Sequence, residues 1–264
     1  MLERTLREME SLSDGILLGA VAYDAKVVPI WEGMRAYFHD AGVPLDFALF
    51  SNYERQVEAL LAGHIDIAWN TPLAHVRVYK RTSGTRVSLG MRDSDRDFHA
   101  KIVVRNDAHI CSLADLHDVT LAMESRDSTQ ARILPLHFLR QAGVDVSRCV
   151  PLAFDTDLGK HGDTGSSELD GLAALHDGRA QAGCLGDLCW INEQAAGRVD
   201  HSTVEVLWTT PAFDHCMFDA LPTLPAAQAT ACQQALMAMQ WDNPAHRKIL
   251  EPRRPRSSPR SDRC

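Results

Sequence analysis

The residues best suited to chemistry form a short polar segment, Ser125-Arg126-Asp127-Ser128-Thr129, between an apolar run, Val119 to Met123, and a stretch of helical periodicity that opens near Thr129. A strand that hands small hydroxyl residues to the start of a helix builds an anion site. First-turn N–H groups have no intrahelical partner, and the helix dipole adds partial positive charge there. The arrangement recurs upstream, where Ile65-Asp66-Ile67-Ala68-Trp69 runs into Asn70-Thr71-Pro72, with Thr71 suited to the N-cap and Pro72 to the first helical position. Two such corners facing each other would clamp a small oxyanion. Plain helix capping, which needs no ligand and contributes about 1 kcal/mol, is the competing explanation for each corner.

Other reactive residue types do not fall into known spacings. The twelve histidines and seven cysteines include no Cys-x-x-Cys and no His-Glu-x-x-His, so no metal site is expected. Asp214-His215-Cys216 stands apart, because His215 could enter a cleft as a hydrogen-bond donor and Cys216 as a nucleophile. There is no Gly-x-Ser-x-Gly elbow, no P-loop and no dinucleotide fingerprint. No catalytic residue and no cofactor are therefore assigned, and a binding protein is preferred over an enzyme.

The elements that must position these residues alternate along the chain, which points to parallel α/β architecture. Ile16 to Tyr23 reads as the first strand and is followed by apolar residues at helical spacing, Val27, Ile30, Trp31, Met34, Tyr37 and Phe38, up to Gly42. Leu45 to Phe50 is a second strand, Glu54 to Ala62 a helix stopped by Gly63, and Ile65 to Trp69 a third strand. Further strands are expected over 86–91, 100–105, 119–123, 149–154, 181–185 and 204–208. Helices are expected over 169–176 and 188–195, over a stretch interrupted at Pro135, and over one long run from Pro225 to Trp241. Tyr23, Ser51, Thr71, Ser125 and Asp187 all fall at carboxyl ends of strands, where open α/β sheets bind ligands.

With 264 residues, 45% hydrophobic and 23% charged, the chain can build one large domain or two lobes. The net charge is −8, yet residues 251–264 hold five arginines against two acids, leaving a body with 22 basic and 33 acidic residues, or −11. Nucleic acid is not expected as a partner of such a body. The proline-broken basic tail is expected to be disordered. Ile16 to Tyr23, the longest apolar run, is too short to span a bilayer, and the first ten residues alternate charges without an apolar signal region. Scattered cysteines in odd number suit a reducing compartment. As written, the chain is expected in the cytoplasm, or in the periplasm if a leader has been removed.

The stretch Ser51 to Pro72, together with Ile102-Val-Val-Arg-Asn-Asp107, Ser112-Leu-Ala-Asp-Leu116 and Ser128-Thr129, resembles the phosphate/phosphonate-binding proteins of ABC importers, over about Gly15 to Leu250. The resemblance implies a type II periplasmic-binding-protein-like fold of two α/β lobes, the second inserted in the first. Residues 1–98 and 209–250 would form the first lobe, 99–208 the second, and 251–264 the tail. It further implies closure on a phosphonate or phosphate-type ligand and docking to an ABC permease. Tyr23, Thr71, Ser125, Ser128 and Thr129 match the oxygen-holding positions, Asn70 and His215 join them as ligand-binding candidates, and Asp187 or Glu168 matches the carboxylate that holds a ligand amino group. Three departures are evident. Gln130 and Ala131 stand where a glycine commonly follows Ser-Thr, His161 is the only counterpart of a histidine before the Leu169 helix, and no export signal is visible. The alternative is a cytoplasmic enzyme of cofactor or small-molecule biosynthesis on the same fold.

Overall fold

The structure is a computed structural model that describes residues 15–22, 27–159 and 166–250. Tyr23, His161 and the 251–264 tail lie outside the described residues. The first half contains β1 (Ile16–Val21), α1 (Val28–Asp40), β2 (Leu45–Phe50), α2 (Tyr53–Leu61), β3 (Ile67–Asn70), α3 (Pro72–Arg81) and β4 (Val87–Gly90). Then follow β5 (Ala100–Arg105), β6 (Thr120–Glu124), a π turn (Thr129–Ile133), α4 (Leu134–Gln141), β7 (Val150–Phe154), α5 (Ser167–His176), β8 (Ala182–Gly186), α6 (Asp187–Ala195) and β9 (Val204–Thr209). The chain ends with β10 (Met217–Ala220), α7 (Ala226–Met237) and α8 (Pro244–Leu250).

These strands form two sheets of the same design, ordered β2-β1-β3-β10-β4 and β7-β6-β8-β5-β9. In each, three parallel strands are followed by an antiparallel fourth and an edge strand antiparallel to that. The chain leaves the first sheet after β4 and returns to it through β10. The two crossings touch: Phe98 and Phe213 exchange both backbone hydrogen bonds at 2.8 Å. A pair of crossed connections held by one antiparallel bridge is a natural pivot for rigid-body closure.

Both faces of each sheet are covered, as parallel strands require. Trp31, Met34 and Phe38 from α1 pack with Leu18, Ile67, Phe218 and Cys232 on one face of the first sheet, while Val57 and Leu60 of α2 and Val78 of α3 cover Ala68 on the other. Leu139 of α4 packs against Ile102, Leu121 and Met123, and Leu172 and Leu175 of α5 against Val103, Ala122 and Leu185. Each buried side chain of this size contributes about 1.5–3 kcal/mol.

Three elements differ from the sequence expectation. The short β10 gave no strand signal, because four residues buried on both faces show no alternation. The expected helix to Trp241 stops at Met237; Asn243-Pro244 then starts α8, with Asn243 Oδ1 accepting the Ala245 N–H at 2.9 Å. The helix after Ser128 begins as a π turn, in which the Ile133 N–H reaches the Ser128 carbonyl at 2.9 Å, and the α-register starts only around Pro135. Proline has no N–H to donate to residue 131, so the preceding turn is free to widen.

Candidate functional site

At the end of β3 the chain passes through Asn70 to Thr71, the extended N-cap of α3 (φ −68°, ψ 164°), with Pro72 in its first turn. The Thr71 side chain makes no cap hydrogen bond. It is fully buried, and its Oγ1 has no partner. Asn70 is equally buried but fully engaged: its Oδ1 accepts from Gln56 Nε2 at 2.9 Å and its Nδ2 donates to Asp219 Oδ2 at 2.9 Å. This follows from the register, since β10 runs antiparallel to β3 with Met217 opposite Asn70 and Asp219 opposite Ala68, so Asn70 and Asp219 share one face. His75 Nδ1 lies 2.8 Å from Asp219 Oδ2, and Arg86 Nε lies 3.7 Å from Asp219 Oδ1. Gly19 makes room for this network, because a Cβ there would meet Gln56 Cγ at 3.3 Å and Ile65 Cδ1 at 2.4 Å.

The second corner follows β6. Ser125 to Ser128 form a turn closed by the Ser128 N–H on the Ser125 carbonyl at 2.9 Å. Ser128 Oγ accepts from the Ala131 N–H and donates to Glu124 Oε2, so this hydroxyl serves as helix cap and carboxyl partner. The Ser125 and Thr129 hydroxyls are buried, at 0% and 5% exposure, and neither has a partner. Beneath them Glu124, 1% exposed, accepts from Gln130 Nε2 at 3.2 Å. Burial, and then the neighbouring Glu168 charge, push the Glu124 carboxyl well above the usual range.

The second corner is tied to the start of α2 on the first lobe. The Tyr53 N–H, at the start of α2, donates to the Gly159 carbonyl at 2.8 Å, and the Gly159 N–H donates to Asp127 Oδ2 at 2.7 Å. Gly159 adopts φ +76°, and a Cβ would lie 3.0 Å from Asn52 Cβ, so only glycine fits this approach comfortably.

The remaining candidates are held by protein partners. Asp187 Oδ2 accepts the His99 N–H at 3.0 Å and Oδ1 pairs with Lys101 Nζ at 2.8 Å. His215, 1% exposed, lies near the pivot, with Nδ1 at 3.0 Å from Asp95 Oδ1, Nε2 at 3.4 Å from Gln130 Oε1, and its ring stacked on Phe98 at 4.6 Å. Asp95 also receives Arg92 Nη2 at 3.0 Å. Burial would raise the Asp95 carboxyl, but the Arg92 charge and the His215 hydrogen bond hold it down at about 2. Among the described residues, Asp95, His215 and Cys216 form the one group compact enough to hold a metal. A guanidinium already fills the carboxylate's field, which disfavours a second cation.

Sequence reasoning located both corners but did not separate the engaged hydroxyl of Ser128 from the unpartnered ones of Ser125 and Thr129. It also missed Glu124 and Gln130; a carboxylate directly preceding the polar turn was the available signal. An apolar cavity of about 240 Å³, lined by Trp31, Met34, Trp69, Phe218 and Met239 among others, lies in the first lobe and does not include the three hydroxyls.

A pair of matching α/β sheets joined by two crossings is the architecture of type II periplasmic binding proteins. Solved structures agree in fold: PhnD1 from Prochlorococcus marinus (MIT 9301) in complex with methylphosphonate has a TM-score of 0.69 at 21% identity, covering 89% of this chain and 88% of that one. XAC2383 from Xanthomonas citri bound to ATP has a TM-score of 0.67 at 19% identity, covering 90% and 87%. In sequence, the probable ABC transporter phosphite binding protein PhnD1 of the same Prochlorococcus strain is 26% identical over 168 residues, which is 61% of this chain and 54%, about half, of that protein. The family model for the phosphonate periplasmic substrate-binding protein of ABC transporters matches residues 21–256. The chain belongs to that family. No helix among the described residues is long and apolar enough to cross a membrane.

Proposed function

We propose that the chain binds a small oxyanion of the phosphonate or phosphate type in the cleft between its lobes, as the substrate-binding component of an ABC importer. The observation that carries this reading is the set of three buried hydroxyls without a protein partner, Thr71 on the first lobe and Ser125 and Thr129 on the second. A buried hydroxyl left unpaired costs about 1–3 kcal/mol. A ligand with several acceptor oxygens would repay that cost at all three positions together. Family membership supports the same reading, with an ABC permease as partner and the periplasm as the place of action.

The lobes, taken as residues 1–98 with 209–250 and as 99–208, would pivot about the Phe98–Phe213 bridge. Tyr23 remains a candidate contact at the end of β1. The enzyme alternative gains no support: His215 is locked between Asp95 and Gln130.

Titration calorimetry with methylphosphonate, phosphite, phosphate and sulfate tests the proposal. Saturable binding of at least one phosphorus oxyanion, lost in the Thr71→Val/Thr129→Val double variant, is expected. Absence of binding to all four, or unchanged affinity in the double variant, would overturn it.

A further inference from the structure

The apolar cavity of the first lobe lies on the face of the sheet that α1, α7 and α8 cover, and none of the three unpartnered hydroxyls lines it. Its walls have a fixed spacing. The Tyr37 hydroxyl donates to the Ala235 carbonyl at 2.7 Å, tying α1 to α7, and the Tyr37 ring meets His246 of α8 edge-on at 4.9 Å. Gly33 brings α8 close to α1, since a Cβ there would stand 3.1 Å from Ile249 Cγ1. Helices joined to one another in this way cannot sink onto the sheet, and about 240 Å³ stays open between them. A cavity of about 150 Å³ with apolar walls admits benzene, so this one has room for two fused rings. Of the described residues that line it, Asp93, Ser94 and Trp241 are the exposed ones and mark its mouth. Arg92 also lines it, but its Nη2 pairs with Asp95 at 3.0 Å and its guanidinium lies over the Trp69 ring at 5.2 Å, so its charge is already met within the protein. Asp93 therefore sets the charge at the rim.

We infer that this cavity is a second ligand site, separate from the oxyanion cleft, for an uncharged aromatic molecule of up to two fused rings that carries an N–H or O–H donor for Asp93. Three indoles, Trp31, Trp69 and Trp241, offer ring edges and faces to a flat guest, and the thioethers of Met34, Met91 and Met239 add sulfur–aromatic contacts. Dispersion contacts that the empty lining forfeits are recovered when such a guest enters. The Asp93 carboxylate repels an anion at the mouth and accepts a hydrogen bond from a donor there. That chemistry is opposite to the hydroxyl corners of the cleft, so the two sites take different molecules.

The test compares indole with benzofuran, which share one shape and differ in that benzofuran has no N–H. Titration calorimetry on the full chain should show saturable binding of indole, about fivefold tighter than benzofuran. Saturating methylphosphonate should leave the indole affinity unchanged. Asp93→Ala should remove the difference between the two compounds while benzofuran still binds. Met34→Trp and Met239→Trp, which fill the cavity from α1 and from the segment after α7, should each abolish binding of both. Melting curves without ligand verify that each variant is folded, and the two filling substitutions guard against one failing to fold. No saturable binding of either compound to the wild-type protein would overturn the inference, as would undiminished binding in a folded filled variant. Equal affinities for indole and benzofuran would remove the role of Asp93 and with it the ligand class. Competition between indole and methylphosphonate would place the aromatic in the oxyanion cleft and overturn the second site.

Discussion

The two polar corners have the same plan but opposite electrostatic settings. At the first, the carboxylate beneath the helix start, Asp219, is held by Asn70 and flanked by His75 and Arg86, and α3 begins as a regular helix with Pro72 in its first turn. At the second, the Gln130 amide bridges Glu124 and Glu168, and the helix opens as a π turn. A neutralised corner is a rigid wall, whereas a corner with a buried acid and a widened turn is one whose hydrogen bonds depend on protonation and on what enters the cleft. The comparison separates hydroxyls and carboxyls that hold the fold from those available to a ligand.

The largest expected effect falls on the first corner. Asp219→Ala leaves Asn70 and His75 without their common partner and Arg86 without its ion pair, and breaking such a buried set costs about 3–5 kcal/mol. A loss of unfolding free energy in urea of less than a third of that would show that the network is not what makes this corner rigid.

Next in size is the loss of the unpartnered hydroxyls. Thr71→Val, Ser125→Ala and Thr129→Val should each weaken methylphosphonate binding by about 1.5–3 kcal/mol, while stability without ligand stays the same or rises, because no internal hydrogen bond is lost. Parallel calorimetry and melting curves check both halves; a variant that loses stability but not affinity would move its hydroxyl to the structural side. Ser128→Ala should show the reverse, losing about 1 kcal/mol of stability through the missing cap. Its effect on affinity should be the smaller one.

The smallest effect concerns pH. The folded Glu124 pKa is raised, so the folded state binds a proton that the unfolded chain releases from about pH 4 upward. Stability contributed by that bound proton is present in acid and declines as pH rises toward the folded value. Glu124→Gln should flatten the fall of the melting temperature as pH rises above about 4. Asp95 works in the other direction: its pKa of about 2 gives stability that is present above about pH 4 and lost only as pH falls toward 2. An unaltered slope in the Glu124 variant would place the titration elsewhere.

How much could be read in advance differed between corners. Thr71-Pro72 and Ser128-Thr129 announce helix starts through local chemistry, and both starts are present. That Ser128 and not Ser125 or Thr129 has its hydroxyl engaged depends on Glu124 at the end of β6 and on the Ala131 N–H in the π turn. The partner of Asn70, Asp219, could not be foreseen, because it lies 149 residues away on a strand too short to signal itself. Asp187 was equally ambiguous until β5 was paired with β8, which brings Lys101 beside it.

The sequence by itself determined what depends on near neighbours: the alternation of strands and helices, the two proline- and hydroxyl-marked helix starts, and a family resemblance spread over most of the chain. These are set by backbone preference, capping and periodic burial, which act over a few residues. Only the tertiary structure decided which polar groups are already satisfied, because hydrogen-bond partners across a sheet or between lobes are chosen by register and packing. The division between fold and function at this site is drawn by those long-range partners.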